Sequence, residues 1–179
     1  MLKVLHEVEG ELPRLLESIA GWHSLDINYH PPRVERLWRQ YGDHRIYLHR
    51  IHPCTQDQAL FHAHPWPSAI RLIEGTYEMG LGYAKLVKDS SQLPPIIATI
   101  HLLPGVKYEM KHRHGWHYVM PTAESTLSVM VTGPLFSTVA YDKSKEKALR
   151  NKPLKPLSEA DEGKLLADFR KYYAVKPGL

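Results

Sequence analysis

The spacing of apolar residues divides the chain into a central region of short strands and two flanking regions with helical periodicity. Near the start, apolar residues three and four positions apart predict a helix over residues 12–20, with Gly21 as its end. A second short helix is predicted over residues 33–41, ended by Gly42. Its apolar face would consist of Val34, Leu37, Trp38 and Tyr41.

From residue 43 to about residue 141 the apolar segments become short, β-branched or aromatic, and Gly and Pro separate them. Strands eight to twelve residues apart are typical of an antiparallel sandwich or barrel, and the lack of intervening helical segments argues against a parallel α/β sheet. The predicted strands are residues 44–52, 58–64, 68–74, 76–87, 96–103, 106–110, 116–120, 125–132 and 135–141.

The last part of the chain begins with a charged, lysine-rich stretch, residues 142–156, which we interpret as a solvated connector, with an anion-binding patch as the alternative. Ser158 and Asp161 have the spacing of a capping box, so a helix is predicted after them. We therefore divide the chain into an N-terminal helical segment (1–42), a mainly all-β barrel (43–141), and a basic connector with a C-terminal helix (142–179).

Composition narrows the class of protein. A chain of 179 residues with 43% hydrophobic residues fits one globular domain. The net charge is +4 and the basic residues are scattered along the chain, which argues against nucleic acid as a partner. The single cysteine, Cys54, excludes an internal disulfide and a cysteine-rich zinc site. No apolar run has the length of a membrane span or a signal peptide, so we expect a cytoplasmic protein with no membrane partner.

Histidine is abundant, with 12 in the chain, and two of these residues have a spacing that suggests metal binding. His62 and His64 lie two residues apart in a predicted strand, so their side chains point to the same face. His117 begins a later predicted strand and is a candidate third ligand. Glu78 is the candidate fourth ligand; Glu74 and a water molecule remain as alternatives, because Gly75 can reset the faces of the strand.

Three imidazoles, with or without a carboxylate, suit several divalent metals. We expect iron, with manganese, nickel, cobalt, copper and zinc as the other choices. Such a set of ligands leaves coordination positions open for a substrate or dioxygen.

These features together resemble the cupin superfamily, which has a jelly-roll β-barrel. Residues 62–64 match the His-x-His of the first cupin motif, and Gly75 matches its closing turn. Residues 103–105 are similar to the turn of the second motif, and residues 115–119 to its histidine strand. The chain is especially similar to uncharacterised bacterial and phage cupins with a His-x-His-Pro-Trp opening, here residues 62–66, and a Thr-Gly-Pro ending. The glutamate of the first motif would fall near Ser68 or Ala69, and neither is acidic.

The resemblance and the histidines lead to a hypothesis of function. We expect a non-haem, metal-dependent dioxygenase that acts on a small organic substrate. The alternatives are a metal-independent isomerase or epimerase with a histidine base and a tyrosine acid, and a non-catalytic module that binds a small ligand. The resemblance also implies pairing through sheet edges into a homodimer. Six residues are candidate substrate contacts: Trp66, Arg71, Tyr77, Tyr83, His101 and Arg113.

Overall fold

Two antiparallel β-sheets and two helices form the part of the protein that the computed structural model describes, residues 1–86, 92–122, 124–136 and 154–173. The helices are α1 (Leu2–Leu15) and α2 (Glu159–Tyr173), and Ala84–Leu86 form a 3-10 turn. The strands are β1 (His23–Ile27), β2 (Val34–Tyr41), β3 (His44–Ile51), β4 (His62–Ala63), β5 (Ser68–Glu74), β6 (Tyr77–Tyr83), β7 (Ile96–Leu102), β8 (Lys107–Met110), β9 (Gly115–Pro121) and β10 (Thr126–Thr132).

The larger sheet has six strands in the order β1-β2-β3-β10-β5-β8, and the smaller has four in the order β4-β9-β6-β7. Every strand pairing in both sheets is antiparallel. The prediction of a mainly all-β, jelly-roll type of fold is confirmed. None of the helices in the described ranges is long and apolar enough to cross a lipid bilayer.

The central strands of the six-stranded sheet, β3 and β10, are buried on both faces, and the residues on the two faces belong to different cores. Ile46 and Leu48 of β3 belong to an apolar core that also contains residues of α1 and α2. Tyr47 points the other way and packs with Ile70 and Met130 in the space between the sheets. The helices therefore cover the outside of this sheet, and its inner face lies toward the four-stranded sheet.

Helix α1 forms where an apolar stripe recurs every three to four residues. Its buried residues are Leu5, Val8, Leu12 and Leu15. The prediction placed this helix at residues 12–20, so it was wrong for most of its length. The buried apolar stripe starts at Leu5, and the helix ends at Leu15, so most of the predicted segment 12–20 lies beyond its end.

The prediction of a helix over residues 33–41 is wrong, because all of this segment after Arg33 is strand β2. It pairs with β3 in full register, from Val34 opposite Ile51 to Tyr41 opposite His44. Gly42, which we took for the end of a helix, forms a two-residue hairpin turn with Asp43 and has a φ of 54°. The expected boundary at residue 42 therefore falls inside a hairpin.

Seven of the nine predicted strands from residue 44 onward are confirmed with small differences at their ends. Residues 58–64 are the exception, since only His62–Ala63 form a strand there. The strand predicted over 135–141 falls mostly outside the described residues, as does most of the predicted connector, and residues 135 and 136 are not in a strand.

The C-terminal helix is confirmed, including its cap. The Asp161 backbone amide donates a hydrogen bond to the Ser158 hydroxyl oxygen at 3.1 Å, and that hydroxyl donates to the Asp161 carboxylate at 2.7 Å. Asp168 of α2 accepts a hydrogen bond from Arg50 of β3, which ties the helix to the larger sheet.

Candidate metal centre

Three histidines meet where β4 pairs with β9. His62 lies directly opposite His117 in the antiparallel register. His64 follows two residues after His62, just beyond the end of β4. The ring centroids of the three imidazoles are 4.8–4.9 Å apart, and one nitrogen from each ring lies within 4.8 Å of the other two. The structure thus brings together the three histidines proposed from the sequence.

Hydrogen bonds determine which nitrogens face the centre of this cluster. His62 Nδ1 lies 2.9 Å from the Leu60 carbonyl oxygen. A carbonyl only accepts, so His62 carries its proton on Nδ1 and presents the lone pair of Nε2. The Nε2 atoms of His64 and His117 are 2.8 Å apart, so one of them donates to the other. Both nitrogens therefore point toward the same small space.

Burial keeps the three imidazoles neutral near pH 7. It lowers the pKa of His62 to about 4 and holds the pKa values of His64 and His117 well below the usual value for histidine. The histidines also lower one another's pKa values, because two positive charges this close repel. Neutral imidazole is the form of histidine that binds metals, so no proton has to leave before an ion enters.

The spacing of the donor atoms fits one first-row metal ion. Nitrogens bound at about 2.1 Å are about 3 Å apart when they are at right angles and about 4.2 Å apart when they are opposite. The 2.8 Å separation of the His64 and His117 nitrogens is close to the first value. The largest separation in the cluster, 4.8 Å, is about 0.6 Å beyond the second, which a small side-chain rotation provides.

Glu78 does not join the cluster. Residue 81 is the β6 residue opposite His117, and Glu78 is three positions away, so its side chain points to the opposite face of the sheet. There the Glu78 carboxylate accepts a hydrogen bond of 2.7 Å from the Tyr118 hydroxyl. The expectation that Glu78 supplies a fourth ligand is therefore corrected.

The alternative carboxylate is also elsewhere. Glu74 is at the exposed end of β5 and lies beside Tyr172 of α2, on the helix-covered side. Among the residues described, the cluster that could hold an ion contains three imidazoles and no carboxylate. Of the alternatives left open by the sequence, this arrangement leaves water for the remaining positions.

Two of the predicted substrate contacts lie in the space between the sheets or beside the cluster. The Trp66 ring centroid is 6.2 Å from that of His64, and Trp66 also lines a cavity of about 260 Å³ together with Tyr47. Tyr77 is buried between the sheets, and its hydroxyl is 2.8 Å from that of Tyr108. Burial raises the pKa of Tyr77 well above its usual value, which keeps the hydroxyl protonated.

The other four candidates lie in different surroundings. Arg71 faces α1, where it donates a hydrogen bond of 2.6 Å to Glu9. His101 is exposed on the outer face of the four-stranded sheet, 3.8 Å from Glu78. Tyr83 and Arg113 belong to a surface group with His112 and His114. The expectation is corrected for Arg71 and His101, because each lies on the outside of its sheet. Tyr83 comes two residues after Leu81, the residue opposite His117, so it is on the same face of β6 as the cluster. For Tyr83 and Arg113 a contact with substrate stays a prediction.

Two residues near the cluster were missed. Arg36 and His49 are opposite each other on β2 and β3, and the charge of Arg36 contributes to the lowered pKa values of His62 and His64. A signal for them exists in the sequence, because Gly42-Asp43 between two segments of β-forming residues indicates a hairpin. In that hairpin Arg36 and His49 are paired.

Comparisons with known proteins find similarity only at the level of structure. No family model matches the chain. No curated protein matches it either. A hydroxypropylphosphonic acid epoxidase from S. wedmorenis aligns with a TM-score of 0.49 and 14% identity, over 65% of this chain and 57% of that one. Fe(II)-HppE with the alternative substrate (S)-1-HPP aligns with a TM-score of 0.43 and 15% identity, over 55% and 49%.

KdgF from Halomonas sp. aligns with a TM-score of 0.45 and 14% identity, over 64% of this chain and 88% of that one. The chain spans about half the length of the epoxidase structures. Similarity at this level assigns no activity to the chain, so its function has to be argued from the three-histidine site.

Proposed function

We propose that this protein is a metal-dependent enzyme of the cupin type, with one divalent ion held by His62, His64 and His117. The observation that carries the proposal is the convergence of three neutral imidazoles: His62 in β4, His64 just after β4, and His117 in β9. Three protein ligands leave open coordination positions, which distinguishes a catalytic site from a closed structural one.

The reaction that we propose is oxidation of a small organic substrate, with iron(II) as the resident metal and dioxygen as the oxidant. A redox-active ion with open positions supplies that chemistry when it is bound. The residues of the chain orient the metal ligands and exclude water. The Leu60 carbonyl fixes the His62 ring through Nδ1, and the apolar core between the sheets, which includes Tyr77 and Met79, limits access of solvent.

Elemental analysis of the purified protein tests the metal site. We expect about one divalent ion per chain, and severe loss of metal in each of His62→Ala, His64→Ala and His117→Ala. The matched control is His101→Ala, which removes an exposed histidine from the outer face of the neighbouring strand pair and is expected to keep its metal. Wild-type protein that stays metal-free after incubation with iron(II), cobalt(II) and zinc(II) would contradict the proposal.

Oxygen uptake distinguishes the reaction classes. The iron-loaded protein is expected to consume dioxygen when a substrate from a panel of small organic acids, phenols and sugars is present, and His117→Ala is expected to consume none above the blank. Conversion of a substrate without oxygen uptake, and in the presence of a chelator, would favour the metal-independent isomerase instead. Binding without turnover would favour a non-catalytic ligand-binding protein.

A further inference from the structure

Arg36 is the charged residue of β2 that faces the space between the two sheets. It pairs in register with His49, whose neighbour on the same face of β3, Tyr47, is part of the core between the sheets. Leu37, the next residue along β2, packs in the core on the helix side. Arg36 therefore points inward, toward the side of the sheet where the three histidines lie.

The guanidinium group of Arg36 is held in place by neutral partners. Its Nε donates a hydrogen bond of 2.9 Å to His49 Nε2, and its central carbon lies 5.0 Å from the centroid of the Tyr47 ring. In the described ranges, no residue forms a hydrogen bond with its two terminal nitrogens. One edge of the planar group is thus fixed by His49, and the two terminal nitrogens have no hydrogen-bond acceptor among the described residues.

Within the described part of the chain, Arg36 has no carboxylate partner, in contrast to three other arginines. Arg50 is paired with Glu35 and Asp168, Arg71 with Glu9, and Arg33 with Asp26. Burial lowers the pKa of Arg36, and the groups that partly offset this effect are tyrosines. A guanidinium that is removed from water without a counter-charge is unfavourable, so this position is suited to an incoming anion.

The charge of Arg36 acts on the proposed metal centre. It contributes to the lowered pKa values of His62, His64 and His49. The charged groups that affect the three histidines of the cluster are the histidines themselves, His30 and Arg36, and no carboxylate is among them. A divalent ion on three neutral imidazoles would add two more positive charges, and nothing within the described site would balance them.

We propose that Arg36 binds the carboxylate of a small organic acid beside the three histidines. This inference names the substrate class of the proposed enzyme and so rests on the function proposed above. The two terminal nitrogens of a guanidinium match the two oxygens of a carboxylate, and the fixed orientation of Arg36 reduces the entropy lost on binding. His49 is the positioning residue, because it orients the guanidinium without contacting the ligand.

Binding of matched acids and amides tests the proposal. The dissociation constants of acetate, succinate and benzoate are compared with those of acetamide, succinamide and benzamide by ligand-observed NMR. In wild-type protein we expect at least one acid to bind ten-fold or more tightly than its amide. In Arg36→Met we expect the affinity for that acid to fall by roughly ten-fold to a hundred-fold, as for the loss of a charged hydrogen bond, and its preference over the amide to be lost. Arg36→Lys, which keeps the charge but not the planar group, is expected to retain part of it.

Arg39→Met is the matched control, because Arg39 lies on the same strand, points to the opposite face and stacks on Trp22. This variant is expected to keep the wild-type preference for acids. The melting temperature of Arg36→Met is expected to be unchanged or higher, because the arginine makes no ion pair in the described structure. A purely structural role predicts a lower melting temperature with acid binding intact, and that result would overturn the proposal.

The same measurements on metal-loaded and metal-free protein separate this proposal from the metal site. An acid preference that depends on Arg36 in metal-free protein supports the anion site even if the metal proposal fails. A protein that binds metal but shows no preference for any acid over its amide, or an equal preference in Arg36→Met, overturns the anion site and leaves the metal site standing.

Discussion

At Gly80 the space for a side chain is already occupied by an aromatic ring. Gly80 lies opposite Tyr118 in the β6–β9 pairing, and a Cβ atom there would be 2.0 Å from Tyr118 Cε1. The ring has little freedom to move, because its hydroxyl donates to Glu78 and accepts from Gln56. The absence of a side chain at residue 80 thus allows the strand that carries His117 to pack closely.

We therefore expect Gly80→Ala to lower the free energy of unfolding by about 1–3 kcal/mol, which is the usual range for overpacking. Gly10→Ala is the control, since Gly10 is inside α1 and a Cβ atom added there would meet none of the described residues within 4 Å. That variant is expected to gain about 0.5–1 kcal/mol from helix propensity. Denaturant unfolding measures both, and equal effects of the two variants would contradict the packing argument.

The meeting of the three histidines could be predicted from single residues of the sequence, whereas the direction of the Glu78 side chain could not. The spacing of His62 and His64 places them on one face whether or not the strand is long, and in the structure β4 has only two residues. Glu78 is separated from them by the turn at Gly75, which has a φ of 73°. The direction of its side chain depends on pairing with β9, a partner about forty residues away that no local pattern identifies.

At the level of elements, an ion network connects the β2–β3 hairpin to α2. Glu35 accepts hydrogen bonds from Arg50 and, at 3.0 Å, from His52, and Arg50 also pairs with Asp168 of α2. Glu35 is only 6% exposed, so the network is shielded from solvent. Removal of one charge leaves the others with an incomplete set of partners in a place where water cannot substitute.

Glu35→Gln keeps the shape of the side chain and removes its charge, so it isolates the electrostatic contribution. We expect a loss of about 3 kcal/mol in the free energy of unfolding, at the lower end for buried pairs because Asp168 still pairs with Arg50. The control is Glu7→Gln in the exposed pair with Lys3, where a change below about 1 kcal/mol is expected. Similar small losses in both variants would show that the buried network contributes little.

Strand β2 shows why an element can be predicted wrongly when its residues are read correctly. Val34, Leu37, Trp38 and Tyr41 do have helical spacing, but Leu37 and Trp38 pack on opposite faces of the sheet. Because the sheet is covered on both sides, a strand in it has apolar residues on both faces and loses the simple alternation of polar and apolar positions. The Gly42-Asp43 turn was the better indication of a strand, and pairing with β3 makes this segment a strand in the structure.

For the whole molecule, buried histidines make stability dependent on pH when no metal is bound. The pKa of His62 is lowered by burial to about 4, and those of His49, His64 and His117 are also well below the usual 6.5. Between these values and 6.5 the unfolded chain binds more protons than the folded one, so stability rises with pH in this window. Acidification from pH 6.5 toward pH 4 therefore removes stability that is fully present above pH 6.5.

We expect the melting temperature of the metal-free protein, measured in the presence of a chelator, to be lower at pH 5 than at pH 7.5. His62→Ala is expected to reduce this difference, because one group with a shifted pKa is removed, and His101→Ala is expected to leave it unchanged. A melting temperature that is equal or higher at pH 5 in the wild-type protein would disprove the proposed effect of burial on the histidines.

The position of strand β3 between two cores determines where residues can be deleted from the chain. Alternate residues of the strand belong to two separate interiors, with Leu48 in the core beneath the helices and His49 facing the other sheet. A substitution at either position alters one interior only. Deletion of a single residue inside β3 would exchange the two sets, placing an imidazole among the helices and a leucine beside Arg36. In a library of single-residue deletions, we therefore expect every deletion within residues 45–50 to prevent folding. Deletions or insertions in the turn at Gly42 and Asp43 are expected to be tolerated.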